Sequence, residues 1–517
     1  MRAELIAIRA EKIRRLRELG VEPYPYRFTR SHLAATVIEQ FAELEEKTAV
    51  QLAGRLVALR EMGKATFAHL QDPSGKIQLY LRQDELGPDA WAVTGLLDLS
   101  DLIGVEGIPF RTRTGEITVR VRKLQVLSKA IRPLPSVKEK DGQQFDAWED
   151  IESRYRRRYV DLILHPETRQ VFQRRAEMVR TLRAFLDERG FLEVETPVLQ
   201  AIYGGAMARP FVTHHNALDL TLFLRIAEEL PLKKLLVGGL ERVYELGRVF
   251  RNEGMDRNHN PEFTMLEFYW AYADYHDAMD LVEELFRVVV RRVTGGDVVE
   301  CRGHAIDFAV PFARRAMHEL VAEKIGLDPL AAPIETLAGL VRAQGGETPG
   351  FATRGHLIEA LFDLVVQPHL VQPTFVTDHP LEISPLAKVH RERPDQLAER
   401  FELFIAGHEF GNAFSELNDP IDQRARFEEQ ARQRAAGNDE AQVLDEDFLQ
   451  AIEHGMPPAA GVGIGIDRLA MLVTGQPSIR DVLLFPHLRP DEASDARAEL
   501  SPEEAGDEAA GPAGPAE

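Results

Sequence analysis

Apolar residues recur at helical spacing between Leu5 and Leu19, and this pattern predicts an amphipathic N-terminal helix that ends at Gly20. From about Val50 to Lys129 the pattern changes to short runs in which apolar and polar residues alternate. Turn sequences such as DPSG and RTGE separate these runs. About five short strands in close succession predict a small β-barrel.

Between residues 151 and 490, helical patterns alternate with strand-like runs that include VYELGRVF, FELFIAG and GVGIGI. We interpret this region as one large α+β domain and residues 131–150 as a linker. The predicted organisation is a helical N-terminal extension (1–49), the barrel (50–130), the linker (131–150), the α+β domain (151–490) and a C-terminal tail (491–517).

Composition limits the classes of protein to which the chain can belong. Its 517 residues are too many for one core, and 44% hydrophobic and 28% charged residues are typical of globular proteins. Cys301 is the only cysteine, which excludes a disulfide framework within the chain and a thiolate zinc cluster. No apolar run approaches the length of about 18 residues that is needed to span a bilayer. We therefore expect a protein of the reducing cytoplasm without a membrane partner.

Negative charge is concentrated at the C-terminal end. The net charge is -21, and residues 491–517 contribute -8 through nine acidic residues and one basic residue. Because these residues include almost no large apolar side chains, we predict a disordered, solvated acidic tail. The barrel segment, residues 50–129, carries +2 and is relatively basic within an acidic chain.

The segment FRNEGMDRNHNPEF joins two strand-like runs and predicts a hairpin with a long loop. One face of the first predicted strand ends in Val249, Arg251 and Glu253, and Phe263, Glu267 and Tyr269 share one face of the return strand. An arginine at a strand end can hold a phosphate or carboxylate through two hydrogen bonds, and a phenylalanine offers a flat face to a purine. This arrangement suits a bound nucleotide, although an ordinary hairpin with a surface Arg/Glu pair has the same periodicity.

The segment GVGIGIDRLAML places Gly461, Gly463 and Gly465 on one face of a predicted strand. A face without side chains either admits a flat ligand against the backbone or allows close packing of strands. Asp467 is predicted to cap the following helix, from whose start Arg468 would reach a terminal phosphate. The spacing fits neither the GxGxxG dinucleotide fingerprint nor the GxxxxGK[ST] phosphate loop.

Three glutamates, Glu402, Glu409 and Glu416, recur at seven-residue intervals in FELFIAGHEFGNAFSELND. A turn at residues 406–408 would let Glu402 and Glu409 face each other and hold magnesium, which prefers oxygen ligands. Glu409 and Glu416 have opposite strand parity, so a shared site requires a β-bulge near Gly411. The alternative is a set of solvent-facing glutamates.

These segments resemble the signature motifs of class II aminoacyl-tRNA synthetases. RGFLEVETPVL, which alone predicts only a core helix and strand, is similar to motif 1. RVFRNEG with HNPEF is similar to motif 2, and GIGIDR is similar to motif 3. GKATFAHLQD, KIQLY, IRPLPS, ARPFVTHHNALD and EFGNAFSELND resemble, more narrowly, the bacterial-type class II lysyl-tRNA synthetases. The resemblance extends from residue 1 to about residue 490.

The resemblance implies an α+β fold with an N-terminal OB-fold barrel that binds the tRNA anticodon. The implied catalytic domain is built on an antiparallel sheet flanked by helices and works as a homodimer, with the segment ending at Pro197 in the interface. The implied reaction activates L-lysine with ATP to lysyl-adenylate, with up to three magnesium ions, and transfers lysine to the 3′ end of its cognate tRNA. No activated Ser, Cys or His nucleophile stands out, so direct in-line attack by the lysine carboxylate is expected.

The resemblance also implies a role for individual residues. Arg251 and Arg468 match the catalytic positions, and Glu402 and Glu409 match magnesium ligands. The positions that match ATP contacts are Arg251, Glu253, His259, Asn260, Phe263, Glu402, Glu409 and Arg468. The positions that match lysine contacts are Gly205, Glu229, Arg251, Glu267, Tyr269, Asn412 and Glu416, of which Tyr269 and Glu416 take the ε-amino group.

Phe67 and Gln78 match anticodon contacts of the barrel. An aromatic side chain can stack on an unpaired base, and an amide can read its edge. A phenylalanine in the barrel core and an uninvolved surface glutamine are the alternative.

The chain departs from the family pattern at two places. EELPLK stands where the family commonly has PELYLK, so Pro231 puts the start of a helix and the orientation of Glu229 in doubt. Asn258 stands directly before HNPEF, where many bacterial members have arginine, which puts a phosphate contact from that loop in doubt.

Two other functions compete with lysine activation. A synthetase for aspartate or asparagine would need a different pocket, because Glu229, Glu267 and Glu416 together would repel a second carboxylate. A synthetase-like nucleic-acid-binding protein without activity is disfavoured by the joint presence of the two catalytic arginines and the two matched metal ligands.

Overall fold

The computed structural model describes residues 2–135, 138–140, 143–145, 150–350, 352–438 and 441–490. The chain divides into two compact units, Met1–Asp150 and Ile151–Glu517. The predicted acidic tail, residues 491–517, lies outside the described residues. None of the helices in the described ranges combines the length and the apolar character needed to cross a membrane.

A closed five-stranded barrel forms the centre of the first unit. Its strands are β1 (Val50–Met62), β2 (Ala65–Asp72), β3 (Gly75–Arg82), β4 (Leu102–Arg111) and β5 (Ile117–Ser128). They follow one another around the barrel in the order β1-β2-β3-β5-β4. Side chains alternate between the interior and the outer face, and Leu70 and Leu79 are among the fully buried residues. The predicted barrel is confirmed.

Helices and a small strand pair complete this unit. They are α1 (Arg2–Glu18), α2 (Ala34–Glu39), α3 (Phe41–Leu44), α4 (Gln83–Thr94), β6 (Lys138–Lys140) and β7 (Gln143–Phe145). Helix α1 is followed by Gly20 in the left-handed region, with φ of 75°, as expected for a helix stop. Strands β6 and β7 pair within the segment predicted as a linker, of which residues 136–137, 141–142 and 146–149 lie outside the described residues.

A large sheet organises the second unit. The strands of this unit are β8 (Leu192–Glu193), β9 (Leu199–Gln200), β10 (Val212–His215), β11 (Leu220–Leu224), β12 (Arg242–Phe250), β13 (Glu262–Ala271), β14 (Val298–Cys301), β15 (His304–Asp307), β16 (Ala313–Ala316), β17 (Thr374–Pro380), β18 (Leu397–Ile405), β19 (His408–Ser415) and β20 (Ala459–Gly465). Eight strands form the sheet in the order β16-β17-β18-β19-β20-β13-β12-β8. Only its outermost pairs, β16 with β17 and β12 with β8, are parallel. The prediction of an antiparallel sheet is therefore correct for the central strands.

Helices surround this sheet. They are α5 (Ile151–Arg156), α6 (Arg158–Leu164), α7 (Pro166–Asp187), α8 (Glu229–Val237), α9 (Tyr275–Thr294), α10 (Met317–Ile325), α11 (Ile334–Ala343), α12 (Arg354–Val365), α13 (Pro420–Ala435), α14 (Glu446–Glu453), α15 (Ile466–Thr474) and α16 (Ile479–Val482). Single 3₁₀ turns occur at Gln367–His369 and Leu381–Ile383. Helix α9 is fixed by a capping box of Asp274 and Asp277 at its start and by left-handed Gly295 at its end.

The two-residue period of the strands separates a packed core from an open face. Leu266 and Phe268 of β13 and Val462 and Ile464 of β20 lie in one hydrophobic cluster with residues of α7, α9 and α15. The residues between them therefore point to the opposite face of the sheet. That face carries the candidate functional site.

Candidate functional site

A cavity of about 400 Å³ opens on the face of the large sheet that faces away from the helical core. Twelve of the fourteen residues that the sequence predicted in this unit line it: Gly205, Glu229, Arg251, Glu253, His259, Asn260, Phe263, Glu267, Tyr269, Glu409, Asn412 and Arg468. The other two, Glu402 and Glu416, are not among its lining residues. Glu402 accepts a hydrogen bond from Arg400, which lines the cavity, and Glu416 lies against Gly461 of the cavity floor.

The predicted hairpin is formed by β12 and β13, which leave residues 251–261 as the loop. Arg251 is the first loop residue, and its guanidinium carbon lies 5.2 Å from the centroid of the Phe263 ring. Burial lowers the pKa of Arg251 overall, although the charges of Glu253 and other nearby carboxylates act in the opposite direction. In the same loop, Asn260 donates a hydrogen bond to the carbonyl oxygen of Glu262 over 2.5 Å.

Arg468 connects three parts of the site. Its Nη1 donates to the backbone carbonyl of Glu409 over 2.6 Å and lies 3.4 Å from the Glu409 carboxylate. Its Nη2 lies 3.1 Å from Nε2 of His259 in the hairpin loop. The start of α15, the strand β19 and the hairpin loop are therefore joined at the Arg468 side chain.

The predicted cap of this helix by Asp467 is wrong. Helix α15 begins at Ile466 and has Gly465 at its cap position, so Asp467 lies in the first turn. Asp467 is buried, and its two carboxylate oxygens have tertiary partners that offset the cost of burial: the backbone N–H of Thr264 at 2.8 Å and Arg175 at 2.6 Å.

The glycine face of β20 lies in the floor of the cavity. Gly461, Gly463 and Gly465 pair with Tyr269, Glu267 and Met265 on β13. On the other side, Phe414 and Asn412 of β19 pair with Gly461 and Gly463. A Cβ on Gly461 would overlap the Glu416 and Tyr269 side chains, and one on Gly463 would stand 2.9 Å from Met265. Both interpretations of the glycine face therefore apply: β20 presents no side chains there, and side chains of the neighbouring strands pack over the glycines.

A β-bulge between β18 and β19 sets the directions of the acidic residues. Leu403 pairs with Gly411 and Phe404 with Glu409, which leaves Phe410 as the extra residue. This confirms the bulge predicted near Gly411.

The expected pairing of Glu402 with Glu409 across the hairpin is wrong. Phe404 lies opposite Glu409 because the turn occupies only residues 406–407, and Asn412 lies opposite Glu402 beyond the bulge. Both carboxylates nevertheless act on the same neighbours. Desolvation together with the negative charges of Glu402 and Glu409 raises the pKa of Glu359 and of Asp363 on α12 to about 7.

Three glutamates converge at the other end of the cavity. Glu267 accepts hydrogen bonds from the backbone N–H of Glu228 at 2.9 Å and from the Tyr269 hydroxyl at 3.1 Å. Burial, followed by the charge of Glu229, raises the pKa of Glu267 to about 7. Burial also raises the pKa values of Glu229 and Glu416. Neither oxygen of Glu416 has a hydrogen-bond partner among the described residues, but Oε2 is in contact with the ammonium of Lys233, which leaves Oε1 without a polar partner there.

The backbone brings Glu229 to this end of the cavity despite the proline nearby. Helix α8 begins at Glu229, and Pro231 lies in its first turn, where backbone N–H groups have no partner within the helix. Gly205 packs against Glu229 with φ of 86°, and a Cβ there would stand 3.0 Å from the Cβ of Glu229. Pro231 therefore does not prevent the helix from presenting Glu229.

Sequence reasoning missed several residues of the site. Lys233 contacts both Glu229 and Glu416, Arg400 donates to both Glu402 and Asn412, and Glu228 positions Glu267 through its N–H. For Lys233 a signal existed, because it follows Glu229 by four residues, the spacing of a helical ion pair. Arg400 lies two residues before Glu402 on the same strand, so its contact with Glu402 was also open to a local signal, whereas the partner of Glu228 lies 39 residues away.

The barrel carries the two predicted anticodon residues on its outer face. Phe67 stacks on Tyr80 with ring centroids 4.7 Å apart, and neither ring belongs to the buried barrel core. The Gln78 amide donates to Glu116 and accepts from Thr118, each over 2.7 Å. The alternative of a core phenylalanine is thereby removed.

Comparison with known proteins places the chain among relatives. Residues 150–489 match the family model of tRNA synthetases class II (D, K and N), and residues 50–127 match that of the OB-fold nucleic acid binding domain. The lysine–tRNA ligase of Moorella thermoacetica is 53% identical over 490 residues, which are 95% of this chain and 98% of that protein. The lysine–tRNA ligase of Pelotomaculum thermopropionicum is 52% identical over 492 residues, 95% of this chain and 96% of that protein.

Proposed function

The chain belongs to the class II tRNA synthetases as a lysine–tRNA ligase, and we propose that L-lysine and ATP react in the cavity on its large sheet. The observation that carries this proposal is that one cavity combines a group of glutamates with two arginines. Glu229 and Glu267 line it, with Glu416 behind them, and Arg251 and Arg468 line it beside the hairpin loop. The near-complete match to lysine–tRNA ligases favours this function over an aspartate or asparagine synthetase and over an inactive nucleic-acid-binding protein.

The ATP end uses the hairpin loop and the start of α15. Phe263 stacks on the adenine, and Arg468 covers its other face and contacts the γ-phosphate. Glu253, His259 and Asn260 complete the ATP contacts. The hydrogen bonds of Arg468 to Glu409 and His259 support this role, because they hold the guanidinium in place before the substrate arrives.

The lysine end uses the three glutamates. Glu416 and Tyr269 receive the ε-ammonium group, while Gly205, Glu229, Glu267 and Asn412 form the rest of the pocket. A carboxylate without a hydrogen-bond partner for one of its oxygens strongly favours a cationic ligand, since an uncharged analogue would leave it unpaired. Arg251, at the junction of both ends, holds the lysine carboxylate and the α-phosphate.

Glu402 and Glu409 are the residues that we propose to hold magnesium together with the phosphates of ATP. Their oxygen donors suit this ion, and their negative charges add to the effect of burial in raising the pKa values of Glu359 and Asp363. Within the described ranges, no group of three or more His, Cys, Asp or Glu side chains is arranged to hold a metal. Phosphate and water oxygens would therefore complete the coordination. Bound magnesium would neutralise charge on the phosphates.

The reaction follows from these positions. An oxygen of the lysine carboxylate attacks the α-phosphorus in line, a bond from oxygen to phosphorus forms, and the bond to the departing pyrophosphate breaks. Arg251 holds the attacking and attacked groups together and stabilises the charge that develops between them. The 3′-hydroxyl of the tRNA then attacks the carbonyl carbon of lysyl-adenylate, and AMP leaves.

The barrel binds the anticodon of the tRNA, with Phe67 stacking on a base and Gln78 reading a base edge. The match to the OB-fold nucleic acid binding domain and the position of both side chains on the outer face support this assignment. The protein works in the reducing cytoplasm.

The second unit forms a homodimer. A group of exposed apolar side chains supports this assembly, because it follows α7 in the segment similar to motif 1 and in the three-stranded sheet that β9, β10 and β11 form beyond it. Its members are Leu192, Leu199, Val212, Leu218 and Leu220. Sedimentation analysis should therefore give twice the mass of the chain, and a Val212→Lys variant should shift the equilibrium towards the monomer.

The decisive experiment is amino-acid-dependent exchange of pyrophosphate into ATP, measured with each of the twenty amino acids. Lysine should support exchange, and aspartate and asparagine should not. Exchange driven by another amino acid would overturn the proposed pocket. Chelation of magnesium should abolish exchange, and its addition should restore it.

A further inference from the structure

Lys233 places a fully buried ammonium group beside the carboxylates proposed to receive the substrate. Its Nζ lies 2.5 Å from Oε1 of Glu229 and also contacts Oε2 of Glu416, and its side chain has 0% exposure. The Phe414 ring lies 5.1 Å from Nζ. Burial by itself would lower the pKa of Lys233, but the two carboxylates raise it overall, so the group is charged.

We propose that Lys233 is a specificity-determining residue: a resident ammonium that holds Glu229 and Glu416 in place and leaves the pocket with room for one further ammonium charge. This inference rests on the proposed lysine-binding site. Lys233 acts on the substrate through the two carboxylates and does not itself enter the cavity, whose lining it does not join.

The unused oxygens of the two carboxylates point in a direction that suits this role. Oε1 of Glu416 lies against Gly461, and Oε2 of Glu229 would stand 3.7 Å from a Cβ on Gly205. Both glycines line the cavity. Lys233 thus engages one oxygen of each carboxylate from behind and leaves the other oxygen towards the cavity side.

The charge balance of the pocket gives the physical reason. Glu229, Glu267 and Glu416 carry three negative charges when ionised, and Lys233 and Arg251 carry two positive charges. The net charge of these five groups is then -1, which complements the single net positive charge of free lysine. Without Lys233 the other four groups would reach -2, and buried carboxylates without a counter-ion take up a proton instead.

Other groups around this set do not replace Lys233. Arg400 of β18 is engaged with Glu402 and Asn412. Glu228 pairs with Arg225, and burial raises its pKa to about 10, so it is neutral at pH 7. Burial and Glu267 raise the pKa of Tyr269, which therefore stays a neutral hydrogen-bond donor to Glu267.

The test compares the wild-type protein with a Lys233→Met variant, which keeps the length of the side chain and removes its charge. Lysine binding is measured by calorimetry in two buffers of different ionisation enthalpy, which gives the number of protons released. We expect the variant to release about one proton more per bound lysine than the wild-type protein, because the carboxylates must give up the proton that replaces Lys233. The lysine KM of the variant should continue to fall above pH 8, with the ATP KM unchanged.

Lys234→Met is the matched control. Lys234 is the next residue of the same helix, but its ammonium pairs with Asp447 and its side chain is 31% exposed. This control should match the wild-type protein in proton release and lysine KM. Equal proton release by Lys233→Met and the wild-type protein would overturn the inference while leaving the proposed function intact, since the wild-type protein would still show lysine-dependent exchange.

A second variant keeps the inference testable if the methionine variant does not fold. Lys233→Ala, purified in propylammonium chloride, offers the cavity a free ammonium in place of the missing one. The control solution contains 1-propanol and sodium chloride at the same concentration. Lysine-dependent exchange should be at least about tenfold faster with propylammonium, because breaking a buried ion pair costs more than about 1.4 kcal/mol. Equal rates in the two solutions would overturn the role of the charge.

Discussion

Gly461 lies directly against the carboxylate of Glu416, so closely that a Cβ at position 461 would overlap its Oε1 atom. A residue of the bare strand face therefore fixes the position of a carboxylate that comes from the end of another strand. The pocket therefore depends on the lack of a side chain at position 461 as well as on the side chains that line it.

Gly461→Ala should weaken lysine use and spare ATP binding. The added methyl group must displace Glu416 or Tyr269, and overpacking of this kind costs roughly 1–3 kcal/mol, or about 5- to 150-fold in lysine KM. Pyrophosphate exchange at varied lysine concentrations measures the effect. Gly465→Ala is the control on the same strand face, because its Cβ would stand 3.9 Å from the nearest atoms, those of Arg468. A lysine KM that rises equally in both variants would contradict the role of Glu416.

Glu416→Gln should raise the lysine KM by about tenfold or more. The amide interacts with the substrate ammonium more weakly than the carboxylate does, by about 1.4 kcal/mol or more. The ATP KM should remain unchanged. The amide still offers an oxygen to Lys233, so the fold should be retained, which a melting curve checks. Unchanged lysine dependence would remove Glu416 from the pocket.

The use of lysine should depend on pH through Glu267, whose pKa burial and Glu229 raise to about 7. A cationic side chain requires the ionised carboxylate, so lysine affinity should increase as pH rises through 7 and level off above it. Below pH 7 the lysine KM should rise by about tenfold per pH unit at most. Glu267→Gln should flatten this part of the profile. A flat wild-type profile between pH 6 and pH 8 would contradict the ionisation assigned to Glu267.

Glu409→Gln should raise the magnesium concentration needed for half-maximal exchange by about tenfold, the lower end of the loss expected for a weakened metal site. The backbone carbonyl that holds Arg468 remains in place, so the contact at 2.6 Å is retained. The exposed Glu392 provides the control variant, Glu392→Gln. An unchanged magnesium requirement in the Glu409 variant would contradict its role as a ligand.

Phe67→Leu should slow charging of tRNA while leaving pyrophosphate exchange unchanged. Stacking of a base on an aromatic ring is worth about 1–3 kcal/mol, so kcat/KM for the tRNA should fall by roughly 5- to 150-fold. Tyr26→Leu, at a fully exposed aromatic residue of the same unit, is the matched control. A loss confined to the exchange reaction would be incompatible with a contact to tRNA.

Much of the site follows from the two-residue period of the strands. The alternation in β13 assigned Phe263, Glu267 and Tyr269 to one face, and the glycine pattern assigned the facing positions of β20. The conflict of parity between Glu409 and Glu416 required a bulge, which the structure has at Phe410. These predictions succeeded because strand geometry is local and places side chains by simple alternation.

Two details failed, one through tertiary contacts and one through the length of a turn. Asp467 does not cap its helix, since Arg175 and the backbone of Thr264 satisfy its carboxylate from other elements. Glu402 does not face Glu409, since the two-residue turn at 406–407 pairs Glu409 with Phe404. The competition between local and tertiary hydrogen bonds at Asp467 is absent from any single segment of sequence.

The sequence by itself determined the family, the barrel, the faces of the strands and most of the residues that line the cavity, because motif spacing and strand period are properties of contiguous segments. Only the tertiary structure decided which charged side chains contact one another in the pocket. Lys233 contacts Glu229 through helical spacing, but it contacts Glu416 only because α8 packs beside the end of β19. Burial then sets the charge states of these groups, and burial depends on every element that surrounds them.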